Sequence, residues 1–264
     1  MINVTIAGVA GRVGVSLCKV FLADKDVKIV GATEQPGNKA CGKDVGDVAL
    51  LGKKINVVVN HDLKKIIKVC DVIVDFTSIS STLHHIDLAI EYSKAIVVGT
   101  TGFDDEQMQT IKAAGEKIPI VYAPNMSIGI NLLFKLTKEV AKVLGDYDVE
   151  LFEMHHNKKK DAPSGTAMKL ANIIAEERSA NKSDFTFGRE GMIGERKKNE
   201  ISILSSRAGD VIGEHTIIFG GQGERLELTH RAHHRGIFAQ GAHKAVKWIE
   251  NKENGFYTMD DVLF

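Results

Sequence analysis

Residues 1–14 read Met-Ile-Asn-Val-Thr-Ile-Ala-Gly-Val-Ala-Gly-Arg-Val-Gly, and this stretch decides the fold. Residues 3–7 have the β-branched character of a strand. Gly8, Gly11 and Gly14 follow at once, and apolar residues three or four apart over 11–23 predict a helix. A strand passing through a glycine turn into a helix is the opening of a dinucleotide-binding βαβ unit. Glycine lets the backbone turn tightly and approach a pyrophosphate, whose charge then meets the helix amino terminus. The spacing is Gly-x-x-Gly-x-x-Gly rather than Gly-x-Gly-x-x-Gly, and glycines at such turns also serve packing, so the turn by itself is a weak signal. Glu34 strengthens it. This residue ends the second predicted strand, twenty positions after Gly14, where a carboxylate accepts hydrogen bonds from adenosine ribose hydroxyls. A lone Glu there would ordinarily be a solvated strand end; joined to the glycines, the cofactor reading prevails.

Working outward, short β-branched runs at 27–33, 72–76, 95–99 and 120–123 alternate with helical patterns at 63–69, 81–92 and 104–114. That alternation predicts a Rossmann-like, doubly wound parallel sheet of the α/β class. Two further loops end predicted strands, where ligands of open α/β sheets collect: Gly99-Thr100-Thr101-Gly102 and Ala123-Pro124-Asn125-Met126-Ser127. With Val9, Ala10, Arg12 and Val13 of the glycine turn, they make up the expected cofactor-binding set, although either loop taken singly is explained by turn chemistry.

Beyond residue 126 the pattern changes. A long amphipathic helix over 129–144 precedes strand-like segments at 149–155, 201–207, 213–219 and 224–231, several of which alternate apolar and polar residues as a mixed or antiparallel sheet with two unlike faces does. Residues 178–198 read as a long polar loop, and 236–250 returns to a helical pattern placed to pack back on the first domain. The expected division is a dinucleotide-binding domain of residues 1–126 plus 237–264, and a substrate-binding α+β domain of residues 127–236.

Lys plus Arg and Asp plus Glu number 34 each, so no global field draws the molecule to nucleic acid or a membrane, and any attraction for anions is local. Cys18, Cys41 and Cys70 are odd in number and widely spaced, which indicates neither a disulfide framework nor a zinc site. Without a basic leader or a long apolar run, the chain is expected to be cytoplasmic.

The strongest chemical signal is the run His155-His156-Asn157-Lys158-Lys159-Lys160-Asp161-Ala162-Pro163-Ser164-Gly165-Thr166. It gathers two imidazoles and three ammonium groups ahead of a small-residue turn. Helical spacing begins just after that turn, so backbone N–H groups near Gly165 and Thr166 should open a helix and attract carboxylate or phosphate. A solvated basic loop followed by an ordinary helix cap is the alternative, ranked second because it gives no reason to join His-His, Lys and a helix start.

Taken together, Gly8–Gly14, Asp75-Phe76-Thr77, the 99–102 and 123–127 loops, Glu153–His156, Lys159 with 161–166, Arg207-Ala208-Gly209 and Gly213-Glu214-His215 resemble the dihydrodipicolinate reductase family. The likeness spans nearly the whole chain and is most specific over 153–166. It implies reduction of 4-hydroxy-tetrahydrodipicolinate, or the dihydrodipicolinate derived from it, to tetrahydrodipicolinate on the diaminopimelate and lysine route, with NADH or NADPH. A discontinuous nucleotide domain and a homotetramer built through the second domain's sheets are also implied. By position, His155 and Lys159 match the family's catalytic pair, and His156, Gly165 and Thr166 its substrate-binding groups.

That chemistry suits these residues. A ring with two carboxylates needs fixed cations and helix-end donors more than an apolar slot. Hydride addition pushes electron density onto another ring atom, which must then gain a proton; Lys159 is the expected donor, with His155 supporting it or sharing the role. Neighbouring cations lower a lysine's proton affinity and substrate carboxylates raise it, so the sign of the net shift stays open. Gln35 follows Glu34 where NADPH-using relatives often carry an arginine. This predicts a preference for NADH, with Arg12 or Lys39 able to supply a cation from elsewhere. His230, Arg231, His233, His234 and Arg235 form a second basic cluster for substrate, a neighbouring subunit or solvent, and no metal site is indicated. A non-catalytic nucleotide sensor would have lost the polar run at 155–159, and an aldehyde or 2-hydroxy-acid oxidoreductase would want a thiol or a His–Asp pair.

Overall fold

The computed structural model describes residues 1–264. In chain order, β1 (Ile2–Ala7), α1 (Arg12–Leu22), β2 (Val27–Thr33), α2 (Val45–Val48), β3 (Val59–Asn60), β4 (Val72–Asp75), α3 (Ile79–Glu91), β5 (Ala95–Val98), α4 (Asp105–Ala114) and β6 (Pro119–Tyr122) come first. Next are α5 (Ile128–Val143), β7 (Asp148–His155), α6 (Gly165–Arg178), β8 (Phe185–Thr186), β9 (Ile201–Arg207), β10 (Gly213–Gly220) and β11 (Arg225–Ala232). The chain closes with α7 (Gly236–Ile249), β12 (Gly255–Tyr257) and α8 (Met259–Leu263). It divides into two compact units, Met1–Ile128 with Arg235–Phe264, and Gly129–His234.

The first unit is a seven-stranded parallel sheet in the order β12-β6-β5-β4-β1-β2-β3. Strands buried on both faces need continuous apolar runs, and β1, β4 and β5 supply them with Val4, Ile6, Val72, Ile73, Val74, Ile96, Val97 and Val98. Because β1 lies between β2 and β4, the winding reverses there, and the loops after β1 and β4 part to leave a crevice. Helix α7 packs against α1 on this unit: His243 Nε2 meets Asp24 Oδ2 at 2.7 Å, and the Phe21 and His243 ring centroids stand 5.8 Å apart.

Residues 63–69 correct one expectation. They form two short 3₁₀ turns, Leu63–Lys65 and Ile67–Val69, rather than a crossover helix. Seven residues are too few to nucleate a helix without tertiary support, and Ile66, with φ −122°, breaks the run. Strands β3 and β12 were not legible because two or three residues carry no period; pairing with β2 and β6 makes them strands.

The second unit carries a five-stranded sheet in the order β11-β10-β7-β9-β8. It is mixed: β10 runs antiparallel to β7 and β11, whereas β7–β9 and β8–β9 pair in parallel, because α6 carries the chain back between β7 and β9. One face packs Val149, Leu151, Ile201, Ile203, Ile217 and Phe219 against α5 and α6. The segment expected to be a loop contains β8 and is fastened to the sheet by two arginines. Arg189 holds Glu150 and Glu200, and Arg196 holds Asp148 and Glu150.

Candidate active site

The glycine turn of the first unit is sterically enforced. Gly8 has φ +80°, and a Cβ there would fall 2.7 Å from the Phe76 carbonyl oxygen; one at Gly14 would fall 2.2 Å from the Gly8 oxygen. Gly11 caps α1 with no side-chain acceptor, so the first-turn N–H groups carry no side-chain cap and suit a phosphate. A cavity of about 960 Å³ opens over this turn, lined among others by Gly11, Arg12, Val13, Thr77, Thr100 and Thr101. A second, of about 540 Å³, runs from Gly8 and Gly11 past Glu34 and Gln35 to His61, His84 and His85. These features fit a dinucleotide: backbone approach at the glycines, an uncapped helix end and an acidic residue at the close of β2.

Glu34 is tied into the turn itself. Its Oε1 accepts the Ala10 N–H at 2.8 Å, and its Oε2 accepts from Asn38 Nδ2 at 3.0 Å. Val9 is wholly buried in the core, so only its main chain is available to a ligand. Lys39 is exposed and does not line either cavity described, whereas Arg12 does. Burial, and then the nearby Arg12 guanidinium, lower the proton affinity of Arg235, so two cations stand close together within this unit. Arg235 therefore parts company with Arg231, His233 and His234, which belong to the second unit.

Of the two predicted loops, Gly99, Thr100 and Thr101 reach the cavity, while Ala123, Pro124, Asn125 and Met126 do not line it. Met126 is buried beneath α7, where a Cβ on Gly241 would fall 1.6 Å from the Met126 oxygen. A buried carboxylate orders the lining. Asp75 Oδ1 accepts from Thr77 Oγ1 (2.7 Å), Thr82 Oγ1 (2.9 Å) and Thr100 Oγ1 (3.0 Å), and its Oδ2 meets His85 Nδ1 at 2.6 Å. A sequence signal existed, since Asp75 ends an apolar run with an acid where a strand buried on both faces needs a reason to hold one.

In the second unit His155 ends β7, the loop after it carries His156 and Lys159, and Gly165 and Thr166 open α6. Along β7 the inward positions are Val149, Leu151, Glu153 and His155, so the face changes from apolar to ionic within one strand. His215 of β10 lies opposite Glu153, and Arg207 of β9 lies opposite His155. Glu153 is fully buried and accepts four donors: His155 Nδ1 to Oε2 (2.6 Å), Arg207 Nη1 to Oε2 (2.9 Å), Arg207 Nη2 to Oε1 (2.9 Å) and the Ser164 N–H to Oε1 (3.2 Å). Burial alone would raise its proton affinity, but the His155 and Arg207 hydrogen bonds outweigh it and hold the carboxyl down to about 2.

Ser164 caps α6, its Oγ accepting the Ala167 N–H at 3.1 Å and meeting His215 Nε2 at 3.1 Å. Gly165 and Thr166 are thus the first residues of a fourteen-residue helix, with their N–H groups at its positive end. Lys159 reaches Asp161 through both carboxylate oxygens, at 2.8 and 2.9 Å, and its N–H donates to the His156 carbonyl at 3.1 Å. Arg207 Nη2 also donates to the Asp161 carbonyl at 2.6 Å, so one guanidinium connects the Lys159 turn to the Glu153–His155 pair. Sequence reading placed His155, His156, Lys159, Gly165 and Thr166 here and gave no separate role to Glu153, Arg207 or His215. Strand alternation points to Glu153, which shares the side of β7 that carries His155. No group of three or more His, Cys, Asp or Glu is arranged to hold a metal ion, and no helix is long and apolar enough to cross a membrane.

Comparison with known proteins adds to this geometry. Family models described as dihydrodipicolinate reductase, N-terminus and C-terminus, match residues 2–126 and 129–263. The 4-hydroxy-tetrahydrodipicolinate reductase of Syntrophus aciditrophicus (strain SB) is 45% identical over 265 aligned positions, covering 100% of this chain and 98% of the relative. The protein of that description from Desulfotalea psychrophila (strain LSv54 / DSM 12343) is 46% identical with the same coverage. Among solved structures, the dipicolinate-bound dihydrodipicolinate reductase from Paenisporosarcina sp. TG-14 superposes with a TM-score of 0.79 at 30% identity, covering 98% of this chain and 97% of that one.

Proposed function

Because the chain belongs to the dihydrodipicolinate reductase family, its activity is the NAD(P)H-dependent reduction of 4-hydroxy-tetrahydrodipicolinate to tetrahydrodipicolinate in lysine and diaminopimelate biosynthesis, and we propose that His155 and Lys159 manage the proton in that step. Once the 4-hydroxyl group has left as water to give dihydrodipicolinate, a bound reduced nicotinamide would supply hydride to an unsaturated ring carbon. The protein's own part is to hold two carboxylates, orient the ring and deliver a proton to the atom that gains electron density.

The observation that carries this reading is the convergence of an imidazole, a lysine turn and a serine-capped helix start around one buried carboxylate. The Gly165 and Thr166 N–H groups are the binding site for one substrate carboxylate, and His156 is assigned to the same ligand. Lys159, whose partner Asp161 is exposed, exchanges that carboxylate for the substrate and gives up its proton, and His155 presents its ring next to it. The dipicolinate bound in the Paenisporosarcina structure, a planar ring dicarboxylate, supports a ligand of this class.

For the cofactor, Gly8, Gly11 and the α1 start would take the pyrophosphate, Glu34 the ribose hydroxyls, and the 99–101 loop the nicotinamide half, with the 123–126 loop supporting it from the end of the neighbouring strand β6. Glu34 followed by uncharged Gln35 disfavours a 2′-phosphate, so NADH is the preferred donor. A homotetramer assembled through the outer face of the second sheet is part of the same reading, supported by the half-exposed Phe152, Met154, Leu204 and Ile218 on that face. Three free thiols agree with a cytoplasmic location.

The test is to supply the condensation product of aspartate semialdehyde and pyruvate and to follow nicotinamide absorbance with each cofactor. Oxidation of NADH at higher kcat/KM than NADPH is expected; no oxidation of either refutes the activity, and an advantage for NADPH refutes the preference.

A further inference from the structure

We propose that Glu153 is a positioning residue of the reaction, a buried carboxylate paired through both oxygens with Arg207 that fixes the His155 ring with Nδ1–H engaged and Nε2 as its working nitrogen. This rests on the assignment of His155 to the active site. The four groups aimed at Glu153 are all donors, two on each oxygen, and three of them cannot be anything else: both guanidinium N–H groups and the Ser164 backbone N–H. The His155 imidazole, like the neighbouring Ser205 hydroxyl, can change from donor to acceptor, and because the Glu153 carboxylate only accepts, it holds the ring with Nδ1 protonated. The ring is held from its other side as well. Its Nε2 would lie 3.0 Å from a Cβ placed on Gly213, and the His215 ring stands edge-on with centroids 5.3 Å apart. Since Arg207 answers the carboxylate's charge, what reaches His155 is chiefly direction. The charged and titratable groups around the ring are Glu153 on β7, Arg207 on β9, His215 on β10, and Lys159 with Asp161 on the following turn.

The Glu153→Gln substitution turns this into a measurement. An amide NH₂ on the Oε1 side would face the Arg207 and Ser164 N–H groups, neither of which can accept; on the Oε2 side it faces Arg207 and His155, whose ring can. The amide therefore settles toward His155, Nδ1 loses its proton to Nε2, and protonation of the ring is disfavoured. The expected result is a fall in kcat of about a hundredfold or more, little change in NADH affinity, and a downward move of the pH-profile limb that belongs to His155. Glu153→Asp, which keeps the charge, should recover part of the rate. In a His155→Gln background the Glu153→Gln change should add nothing.

Equal factors in both backgrounds, or an unmoved pH limb, would overturn the proposal while leaving the site intact. Full activity of His155→Gln alone would remove His155 from the reaction. Nitrogen-15 histidine spectra of the unsubstituted protein give a check that needs no variant: at neutral pH the His155 Nδ1 should be protonated, and a bare Nδ1 would overturn the assignment.

Discussion

The His155 and His215 rings meet edge to face, their centroids 5.3 Å apart with 76° between their planes. One ring ends β7 at the edge of solvent; the other, on β10, is 3% exposed and hydrogen-bonded to the serine that caps α6. Burial, and then the charge of His155, push the His215 imidazole down to about 3, so it stands neutral as a wall behind its neighbour.

His215 gives a pH-dependent stability. Unfolded, it takes up a proton as pH falls through its ordinary value of 6.5, whereas folded it resists to about 3. Between those values the unfolded state binds more protons, so stability should fall as pH falls, with the slope of one proton, and be fully present above about 6.5. Denaturant titrations from pH 7.5 down to 4.5 on the unsubstituted protein and on His215→Gln read this out; an unchanged slope in the variant would assign the dependence elsewhere.

Lys159→Ala should lower kcat by roughly a hundred to ten thousandfold, the range for loss of a positioned acid. NADH affinity should hold, because the glycine turn and Glu34 lie in the other unit. Steady-state kinetics with fluorescence titration of NADH separate the two effects, and unchanged turnover would take the proton from another group.

Gly14→Ala should destabilise the first unit and abolish NADH binding together. The new methyl would sit 2.2 Å from the Gly8 oxygen and 2.7 Å from the Val9 oxygen, both backbone atoms that cannot move without opening the turn. Calorimetry alongside NADH titration tests it; a variant that keeps both properties would show that the turn relaxes.

Gln35→Arg should move the ratio of kcat/KM for NADPH over NADH upward by about tenfold or more, by placing a guanidinium next to Glu34 at the mouth of the cavity. Glu34→Gln should shift the ratio in the same direction by removing repulsion. If neither moves it, Arg12 governs the choice.

The first fourteen residues and the run from His155 to Thr166 were enough to announce a parallel sheet with a phosphate turn and an anion site at a helix start. Both signals are local: glycine spacing, β-branched runs and cap residues act over one or two turns of chain, so they survive in one dimension. What the second sheet does with its polar residues is not local. Glu153 lies more than fifty positions from Arg207 and His215, the three come from three strands, and only the register of β10, β7 and β9 sets them face to face. The same holds for β3 and β12, which are strands only by virtue of a neighbour's unpaired edge, and for Asp75, whose hydroxyl partners gather from two loops and a helix. Sequence by itself determined which groups are present and where the chain turns. The tertiary structure decided which of them share a buried carboxylate, because a charge removed from water is stable only where the fold delivers enough donors to replace the water it lost.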